Sequence, residues 1–324
     1  MKKMKNLIKT FMVFAIALSF NSCSNDDDTP KQKTIAEIAS ANPNLSILVQ
    51  ALDRAGLVAT FNSAGDFTVF APTNTAFQSF LTANGFTTID QVPLPLLTEV
   101  LKNHVLAESF TSSELTTGYV KTLAKGSAST TNTLSMFIDL TTGVKINGGA
   151  TNGGANVVLT SANILASNGV IHVVDNVIGL PTVVNHAIAN PNFSSLVSTL
   201  TSDGQPDFVG ILSGAGPFTV FAPTNAAFTA LTPELAAIPL TPTSAQLTTV
   251  LQYHVVSPAN VLASTLTNGM VVTPLAGGTF TVNTTSGATI TDGSGRVTNI
   301  IATDVQASNG VIHAVDRVLL PSFN

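Results

Sequence analysis

The chain of 324 residues has little of the chemistry that many protein functions require. It has a single cysteine, Cys23, so no disulfide can form within it. It has no tryptophan and only two tyrosines, so few aromatic side chains are suited to stacking on sugars. Charged residues make up only 10% of the chain, against about 25% in ordinary soluble domains. This scarcity of charge predicts a surface that forms hydrogen bonds but steers charged partners weakly.

The charges that remain are mostly acidic. Residues 1–22 contain four of the 13 basic residues and no acidic residue, so their removal leaves nine basic against 18 acidic residues, a net charge of −9. A nucleic-acid-binding protein needs a basic patch on its surface. The sequence therefore argues against a nucleic-acid partner.

The first residues carry the features of a bacterial export signal. Lysines precede an apolar run of ten residues, Phe11–Phe20, which suits a signal peptide and is too short to span a bilayer. The segment Phe20–Cys23 resembles a lipobox, in which a peptidase cuts before the cysteine and the thiol receives lipid. We therefore predict a lipoprotein signal peptide over residues 1–22 and lipidation of Cys23. An ordinary signal peptide that ends near a cysteine is the alternative.

An acidic polar tether is predicted for residues 23–33, because Asp26–Asp28 follow shortly after the lipidated cysteine. Such a cluster resembles the surface-export signal of lipoproteins in some Gram-negative bacteria, and a solvated spacer is the alternative. The protein is thus expected to be lipid-anchored at the bacterial outer membrane. We expect it to face the cell surface, and the periplasmic face remains the other possibility.

The remaining sequence contains one pattern twice. Phe67–Phe77 returns as Phe218–Phe228 with a single difference, Thr75 against Ala226. Three shorter segments return in the same order: Ala41–Asn44 as Ala189–Asn192, Asn103–Val105 as Tyr253–Val255, and Ala166–His172 as Ala307–His313. A period of about 150 residues is the size of a domain and too long for a solenoid repeat. The sequence therefore predicts two tandem domains, residues 34–181 and 182–324.

The first half of each copy predicts helices. In the first copy, Asn42 can cap a helix whose first residue is Pro43, and Thr73 can cap another. A further apolar stripe at helical spacing predicts a helix over Pro95–Val105.

The rest of each copy predicts strands. In the first copy the predicted strands and turns are the strands Phe67–Phe70, Val144–Ile146, Val157–Leu159 and Gly169–Val177, and hairpin turns at Asn147-Gly148 and Asn152-Gly153. Helices that come mainly before antiparallel strands indicate an α+β fold.

These segments resemble the fasciclin (FAS1) domain family over nearly all of residues 34–324. Phe67–Phe77 is similar to the family's first signature box and Ala166–Pro181 to its second, and a Tyr-His pair lies between them. The resemblance implies two tandem domains, each a β-sandwich wedge with helices packed along one side. It also implies a role in adhesion or protein–protein contact, without general catalytic activity.

The same resemblance marks candidate partner-binding residues. The family's Tyr-His pair stands as Tyr253-His254 in the second copy and as Asn103-His104 in the first, and its Asp-Ile pair stands as Asp304-Val305 and as Asn163-Ile164. The candidate contacts are Tyr253, His254, Asp304, Val305 and His104. A structural role is the alternative, in which case their substitution should lower the melting temperature.

Histidine and aspartate recur together near the end of each copy, as His172 with Asp175 and as His313 with Asp316. Positions three apart in a strand lie on opposite faces, so no catalytic pair is expected. We expect the aspartate to bond backbone amides and the histidine ring to be satisfied by hydrogen bonds. Five scattered histidines and one cysteine predict no metal site. No catalytic residue, metal or cofactor is therefore predicted.

Together these predictions describe a lipid-anchored adhesion module of the cell surface. Its partner would be an extracellular protein or a polysaccharide matrix, and it would touch the membrane only through its N-terminal lipid. The alternative is an envelope lipoprotein that captures a polysaccharide or a small hydrophobic molecule. A flat surface would favour adhesion, and a buried apolar pocket with few polar groups would favour ligand capture.

Overall fold

The computed structural model describes residues 31–236 and 243–322. The predicted signal peptide, the lipidation site Cys23 and the acidic cluster Asp26–Asp28 lie outside these residues. Lys33–Asn324 form one compact unit, in which two domains follow one another along the chain. Within the described ranges, no helix has the length and apolar character needed to cross a membrane.

The helices of the first domain begin where the sequence offers caps. Those that the structure describes are α1 (Ile35–Ala41), α2 (Ser46–Arg54), α3 (Val58–Asn62), α4 (Asn74–Ala83) and α5 (Leu94–Lys102). Asn42 caps a short 3₁₀ turn, Pro43–Leu45, that leads into α2. Thr73 accepts a hydrogen bond from the Ala76 amide and caps α4, as predicted.

The strands of the first domain form one curled sheet. They are β1 (Phe67–Pro72), β2 (Val105–Leu106), β3 (Gly118–Gly126), β4 (Ser129–Asp139), β5 (Lys145–Ile146), β6 (Ala155–Asn156), β7 (Ile164–Ala166) and β8 (Gly169–Val174). Their order is β6-β5-β4-β3-β2-β1-β8-β7, and β1 pairs with β8 in parallel. A bridge between Val157 and Val174 brings the chain after β6 beside β8, so the sheet nearly closes on itself.

The second domain repeats this architecture. Its described elements are helices α6 (Val183–Ala189), α7 (Ser194–Leu200), α8 (Phe208–Ser213), α9 (Asn225–Ala236) and α10 (Ser244–Tyr253), with strands β9 (Phe218–Pro223), β10 (Val255–Val256), β11 (Met270–Val272), β12 (Phe280–Asn283), β13 (Thr289–Thr291), β14 (Val297–Ala307) and β15 (Gly310–Val315). The strand order is β10-β9-β15-β14-β13-β12-β11, with β9 parallel to β15. The predicted α+β fold is confirmed in both domains, and a single curled sheet forms each sandwich.

Two predicted elements end earlier than the sequence pattern indicates. The helix predicted over Pro95–Val105 ends at Lys102, because Val105 pairs with Val69 of β1 and must be extended. The strand predicted over Gly169–Val177 ends at Val174, because its partner strand β1 ends at Pro72.

The predicted strand Val157–Leu159 is also wrong, whereas Asn147-Gly148 makes a hydrogen-bonded turn, in which the Gly149 amide donates to the Ile146 carbonyl at 2.9 Å. Val157 makes an isolated bridge and Leu159 begins a short 3₁₀ turn, while the neighbouring strand is β6. Asn147-Gly148 and Asn152-Gly153 lie in a single connection between β5 and β6. That connection contains its own 3₁₀ turn, Ala150–Asn152, so the two turn sequences do not form separate hairpins.

Both faces of the central strands are buried. In β1, Val69 packs into an apolar core beneath the helices, and its neighbour Phe70 packs into a second core inside the curled sheet. Val220 and Phe221 of β9 divide in the same way between the two cores of the second domain. Burial on both faces explains why the strand β1 is continuously apolar apart from Thr68.

The two domains contact one another through neighbouring strands and through α6 of the second domain. The Gln306 amide of β14 donates to the Ser135 hydroxyl of β4 at 3.0 Å, and the Lys121 ammonium of β3 donates to the Asp304 carbonyl at 2.9 Å. The Ala128 amide donates to the Ser308 carbonyl at 3.0 Å. These hydrogen bonds fix the side of each domain that faces the other.

A buried asparagine holds the helices of each domain to its sheet. Asn168 accepts from the Ile35 amide at the start of α1 and donates to the Phe61 and Ser63 carbonyls at the end of α3. Asn309 makes the same three bonds in the second domain, to the Val183 amide and the Leu212 and Gly214 carbonyls. The repeated segments include both asparagines, yet sequence reasoning assigned them no role.

We predict that Asn309→Ala destabilises the protein by about 2–5 kcal/mol, because the substitution removes the side chain that satisfies the buried Val183 amide and the buried Leu212 carbonyl. The free energy of unfolding in urea measures this loss. Asn192→Ala is the matched control, since the Asn192 side chain is exposed. Equal stability of the two variants would show that Asn309 does not brace the helices.

Candidate functional site

Each domain presents an exposed loop that follows its short second strand. The first lies between β2 and β3 (107–117) and the second between β10 and β11 (257–269). We call them the β2–β3 loop and the β10–β11 loop. Both have exposed residues along most of their length. The β10–β11 loop contains no charged residue, so it can offer only hydrogen bonds and shape to a partner.

A buried threonine holds each loop from beneath. The Thr68 hydroxyl donates to the Glu108 carbonyl at 2.6 Å and accepts from the Phe110 amide at 2.8 Å. Thr219 makes the equivalent bonds, to the Ala259 carbonyl and from the Val261 amide, both at 2.8 Å. Both threonines are fully buried. Each is the only polar residue of its strand, β1 or β9, a signal that sequence reasoning did not use.

A buried histidine makes a second brace. In the first domain, His172 Nδ1 lies 3.3 Å from the Asn163 amide, and Nε2 lies 2.8 Å from the Phe110 carbonyl. An amide can only donate, so Nδ1 accepts and the protonated Nε2 donates. His313 has the same arrangement with the Asp304 amide and the Val261 carbonyl. Burial lowers the pKa of both histidines, which favours neutral rings.

A residue in the left-handed backbone conformation makes the third contact that holds each loop. Asn163 has φ 59° and its side-chain oxygen accepts from the Ser112 amide at 2.7 Å. Asp304 has φ 58° and its carboxylate accepts from the Ala263 amide at 2.9 Å. Asparagine and aspartate both tolerate this conformation, and both supply the one oxygen required. The exchange of Asp for Asn between the copies therefore leaves the brace intact.

The aspartates near these histidines are not their partners. Asp175 accepts from the Asn156 amide at 2.7 Å and from the Asn156 side chain. Asp316 does the same with Asn299. Each aspartate thus ties the end of a central strand to a neighbouring segment, as the sequence analysis expected. Neither histidine has a carboxylate orienting it, so the structure offers no acid–base pair here.

The histidine of the Tyr-His position is buried in both domains. His104 Nε2 accepts from the Ile178 amide at 2.9 Å, so Nδ1 carries the proton that it donates to the Val100 carbonyl at 2.7 Å. His254 bonds the Leu319 amide and the Val250 carbonyl at the same distances. Burial lowers the pKa of each ring to about 4. Each histidine therefore binds, through a hydrogen bond, the segment near the C-terminal end of its own domain.

Tyr253 is also buried, and Asn103 replaces it in the first domain. The Tyr253 hydroxyl donates to the Thr279 carbonyl at 2.6 Å and accepts from the Gly293 amide at 2.9 Å. Asn103 instead donates to the Gly179 carbonyl at 2.7 Å. Both side chains cross-link backbone segments, although they reach different ones.

The structure separates the five candidate partner-binding residues into three places. His104 lies in the first domain, Tyr253 and His254 lie at the end of α10, and Asp304 and Val305 lie in β14. Four of the five side chains are buried, and Asp304 is half-buried beneath the β10–β11 loop. Among the described residues, no group of three or more histidine, cysteine or acidic side chains could hold a metal ion.

The chain thus consists of two curled α+β domains in tandem, and each domain presents an exposed loop that buried side chains hold in place. Residues 43–181 and 191–321 each match the sequence model of the fasciclin domain. The chain is therefore a member of the fasciclin domain family.

Similar proteins cover different parts of the chain. Protein sll1735 of Synechocystis sp. is 38% identical over 141 residues, which are 44% of this chain and 98% of that protein. Human periostin is 29% identical over 260 residues, 79% of this chain and 28% of periostin. The solved FAS1 domain pair of the insect cell adhesion molecule Fasciclin I has a TM-score of 0.51 at 18% identity, over 86% of this chain and 98% of that one. That likeness shows the fold alone.

We predict that the protein loses stability as the pH falls from about 6.5 to about 4. The pKa of His104 and His254 is about 4 in the folded protein, against an ordinary value of 6.5. The unfolded chain therefore binds these protons first, and each histidine contributes on the order of 3 kcal/mol to the loss. Urea unfolding at pH 7, 5.5 and 4.5 measures it. His254→Gln should reduce the slope, and a flat profile would contradict the assignment.

We predict that Asp304→Asn is nearly neutral and that Asp304→Ala costs about 1–3 kcal/mol. Asparagine keeps the oxygen that binds the Ala263 amide and tolerates φ 58°, while alanine does neither. Urea unfolding gives the free energies, and hydrogen exchange at the Ala263 amide reports the loop. Asn163→Asp is the matched exchange in the first domain. An equal loss in both Asp304 variants would mean that the negative charge is what matters.

Proposed function

We propose that the protein is an adhesion module that binds its partner through the β10–β11 loop, with the β2–β3 loop as a second contact. The observation that carries this proposal is the bracing of each exposed loop by a buried threonine, a buried histidine and a left-handed Asn or Asp. A loop held in one conformation loses little entropy when a partner binds. The family membership supports the proposal, since the solved Fasciclin I pair comes from a cell adhesion molecule.

The five candidate residues then serve binding mainly through the backbone that they hold. Asp304 holds the Ala263 amide of the β10–β11 loop through a hydrogen bond. The side chain of Val305, the next residue of β14, is buried in the core. Tyr253, His254 and His104 hold segments away from the two loops. We propose that their substitution weakens binding together with stability, and that the side chains touching the partner belong to exposed loop residues.

We propose that lipid on Cys23 anchors the protein to the bacterial outer membrane, on its cell-surface side. The tether of residues 24–33 spans at most about 35 Å, which would keep the first domain near that membrane. The partner would be an extracellular protein or a polysaccharide matrix. Contacts that are weak at a single site would gain avidity from many anchored copies.

One observation favours a second candidate function, ligand capture in the envelope. The second domain has an apolar cavity beneath its helices, which an adhesion surface does not require. A periplasmic position would fit that function better than it would fit adhesion between cells.

We predict that Ser264→Arg combined with Thr267→Arg lowers cell aggregation at least tenfold at equal display. Both residues are exposed in the β10–β11 loop, and two arginines there would obstruct a close contact. The assay uses cells that carry the full chain with a C-terminal tag. Thr75→Arg combined with Ser79→Arg, exposed on the first domain, adds the same charge and should leave aggregation unchanged.

Protease treatment of the same intact cells tests whether the protein faces the cell surface or the periplasm. The tag should be cut and aggregation lost together, while a periplasmic control protein survives. Survival of both proteins would place the chain in the periplasm and reject cell-to-cell adhesion. Equal aggregation by the two arginine variants would reject the β10–β11 loop as the contact.

A further inference from the structure

We propose that the second domain contains a binding site for the aliphatic end of a small molecule with an uncharged polar head. A cavity of about 70 Å³ lies between α6, α7, α8 and the strands β9 and β15. Its inner lining includes Val183, Leu196, Leu212, Val220 and Ile312, and it is apolar apart from Thr201 at the edge. This inference rests on the second candidate function, ligand capture, and names its ligand class, while it is independent of the adhesion role.

The first domain shows that the fold does not require this cavity. At the equivalent place, lined by Ile35, Leu48, Phe61, Val69 and Ile171, only about 10 Å³ is empty. Close packing of this kind is the norm for protein interiors. The hollow is therefore a property of the second domain and not of the family's architecture.

Two substitutions lower the side-chain volume at this place in the second domain. Asn168 bonds the Ile35 amide and the Phe61 carbonyl, and Asn309 bonds the Val183 amide and the Leu212 carbonyl, which makes these positions equivalent. Valine thus replaces isoleucine and leucine replaces phenylalanine. Both changes remove side-chain volume from the same wall.

The rim of the cavity has changed in the opposite direction. Ile188, which lines the cavity, is 47% exposed. By the same equivalence, its counterpart in the first domain is Ser40, which is exposed and polar. The second domain therefore has an empty interior with an apolar entrance, where the first has a full interior with a polar surface. An apolar ligand would need both features.

A polar depression next to the cavity indicates the rest of the ligand. It shares Thr201, Phe208 and Val209 with the cavity and adds Gln205 and Asp207. The connection between α7 and α8, which supplies Gln205, has no counterpart of the same length between α2 and α3. The Asp207 carboxylate disfavours an anionic head and is compatible with a hydroxyl. The ligand class is therefore an aliphatic alcohol or a similar neutral amphiphile.

The size of the cavity sets the length of the chain that it accepts. A water needs about 10–15 Å³ by this measure, so about 70 Å³ accommodates roughly five non-hydrogen atoms. Each methylene that enters should tighten binding about fourfold. Affinity should therefore rise from 1-propanol to about 1-pentanol and change little for longer chains, whose extra methylenes lie at the rim.

The experiment titrates the folded chain with 1-alkanols of three to eight carbons and follows methyl resonances by NMR. We expect saturable shifts at Val183, Leu212 and Ile312, the stated dependence on chain length, and at least tenfold weaker binding of hexanoate than of 1-hexanol. No saturable shift at these methyl groups, or an affinity that keeps rising to eight carbons, would overturn the proposal. Equal binding of hexanoate would overturn the neutral head.

Matched variants test the site against general alcohol effects. Val183→Ile combined with Leu212→Phe copies the first domain and should abolish the shifts. Val183→Ile alone, the milder change if the pair does not fold, should weaken binding severalfold. Ile35→Val combined with Phe61→Leu should open a corresponding site in the first domain. Undiminished binding by the filled variant, or by Val183→Ile alone where the pair does not fold, would reject the cavity as the site.

Discussion

The parallel pairing of β1 with β8, and of β9 with β15, is the constraint on which both domains depend. These strands are covered on both faces, so any polar side chain that they carry must find its hydrogen bonds inside the protein. Thr68 and His172 find them on the backbone of the β2–β3 loop, and Asn168, just before β8, finds them on the helices. The requirement to satisfy buried polar atoms therefore fixes the surface loop and the helical layer to one sheet.

The two copies in one chain show which of these bonds tolerate change. The buried threonine, histidine and asparagine are identical in both domains, because each bonds backbone atoms at several points. Asn163 and Asp304 differ, and only one oxygen is used at that position. The apolar wall beneath the helices has no such restriction, since dispersion and burial are not directional. At this wall the second domain has smaller side chains and a cavity of about 70 Å³.

The braced loops and the cavity lie on different parts of the second domain, so the two proposed roles do not compete for the same residues. The β10–β11 loop follows β10 and rests on Thr219, His313 and Asp304, while the cavity lies beneath α6, α7 and α8. The contact between the domains touches both of these regions, since Lys121 reaches the carbonyl of Asp304 and the Asn152 side chain donates to the Asn185 carbonyl of α6. This contact joins the second domain's brace to the first domain, so the loops are presented on one compact unit.

The sequence alone determined the tandem duplication, the α+β class, the caps at Asn42 and Thr73 and the separation of His172 from Asp175. These features depend on local periodicity or on repetition within the chain. Only the tertiary structure decided that His104 and His254 are buried, since the amides that bind them, of Ile178 and Leu319, come from far along the chain. It also decided the end of α5 and the cavity, because strand pairing and packing depend on distant residues that no local pattern encodes.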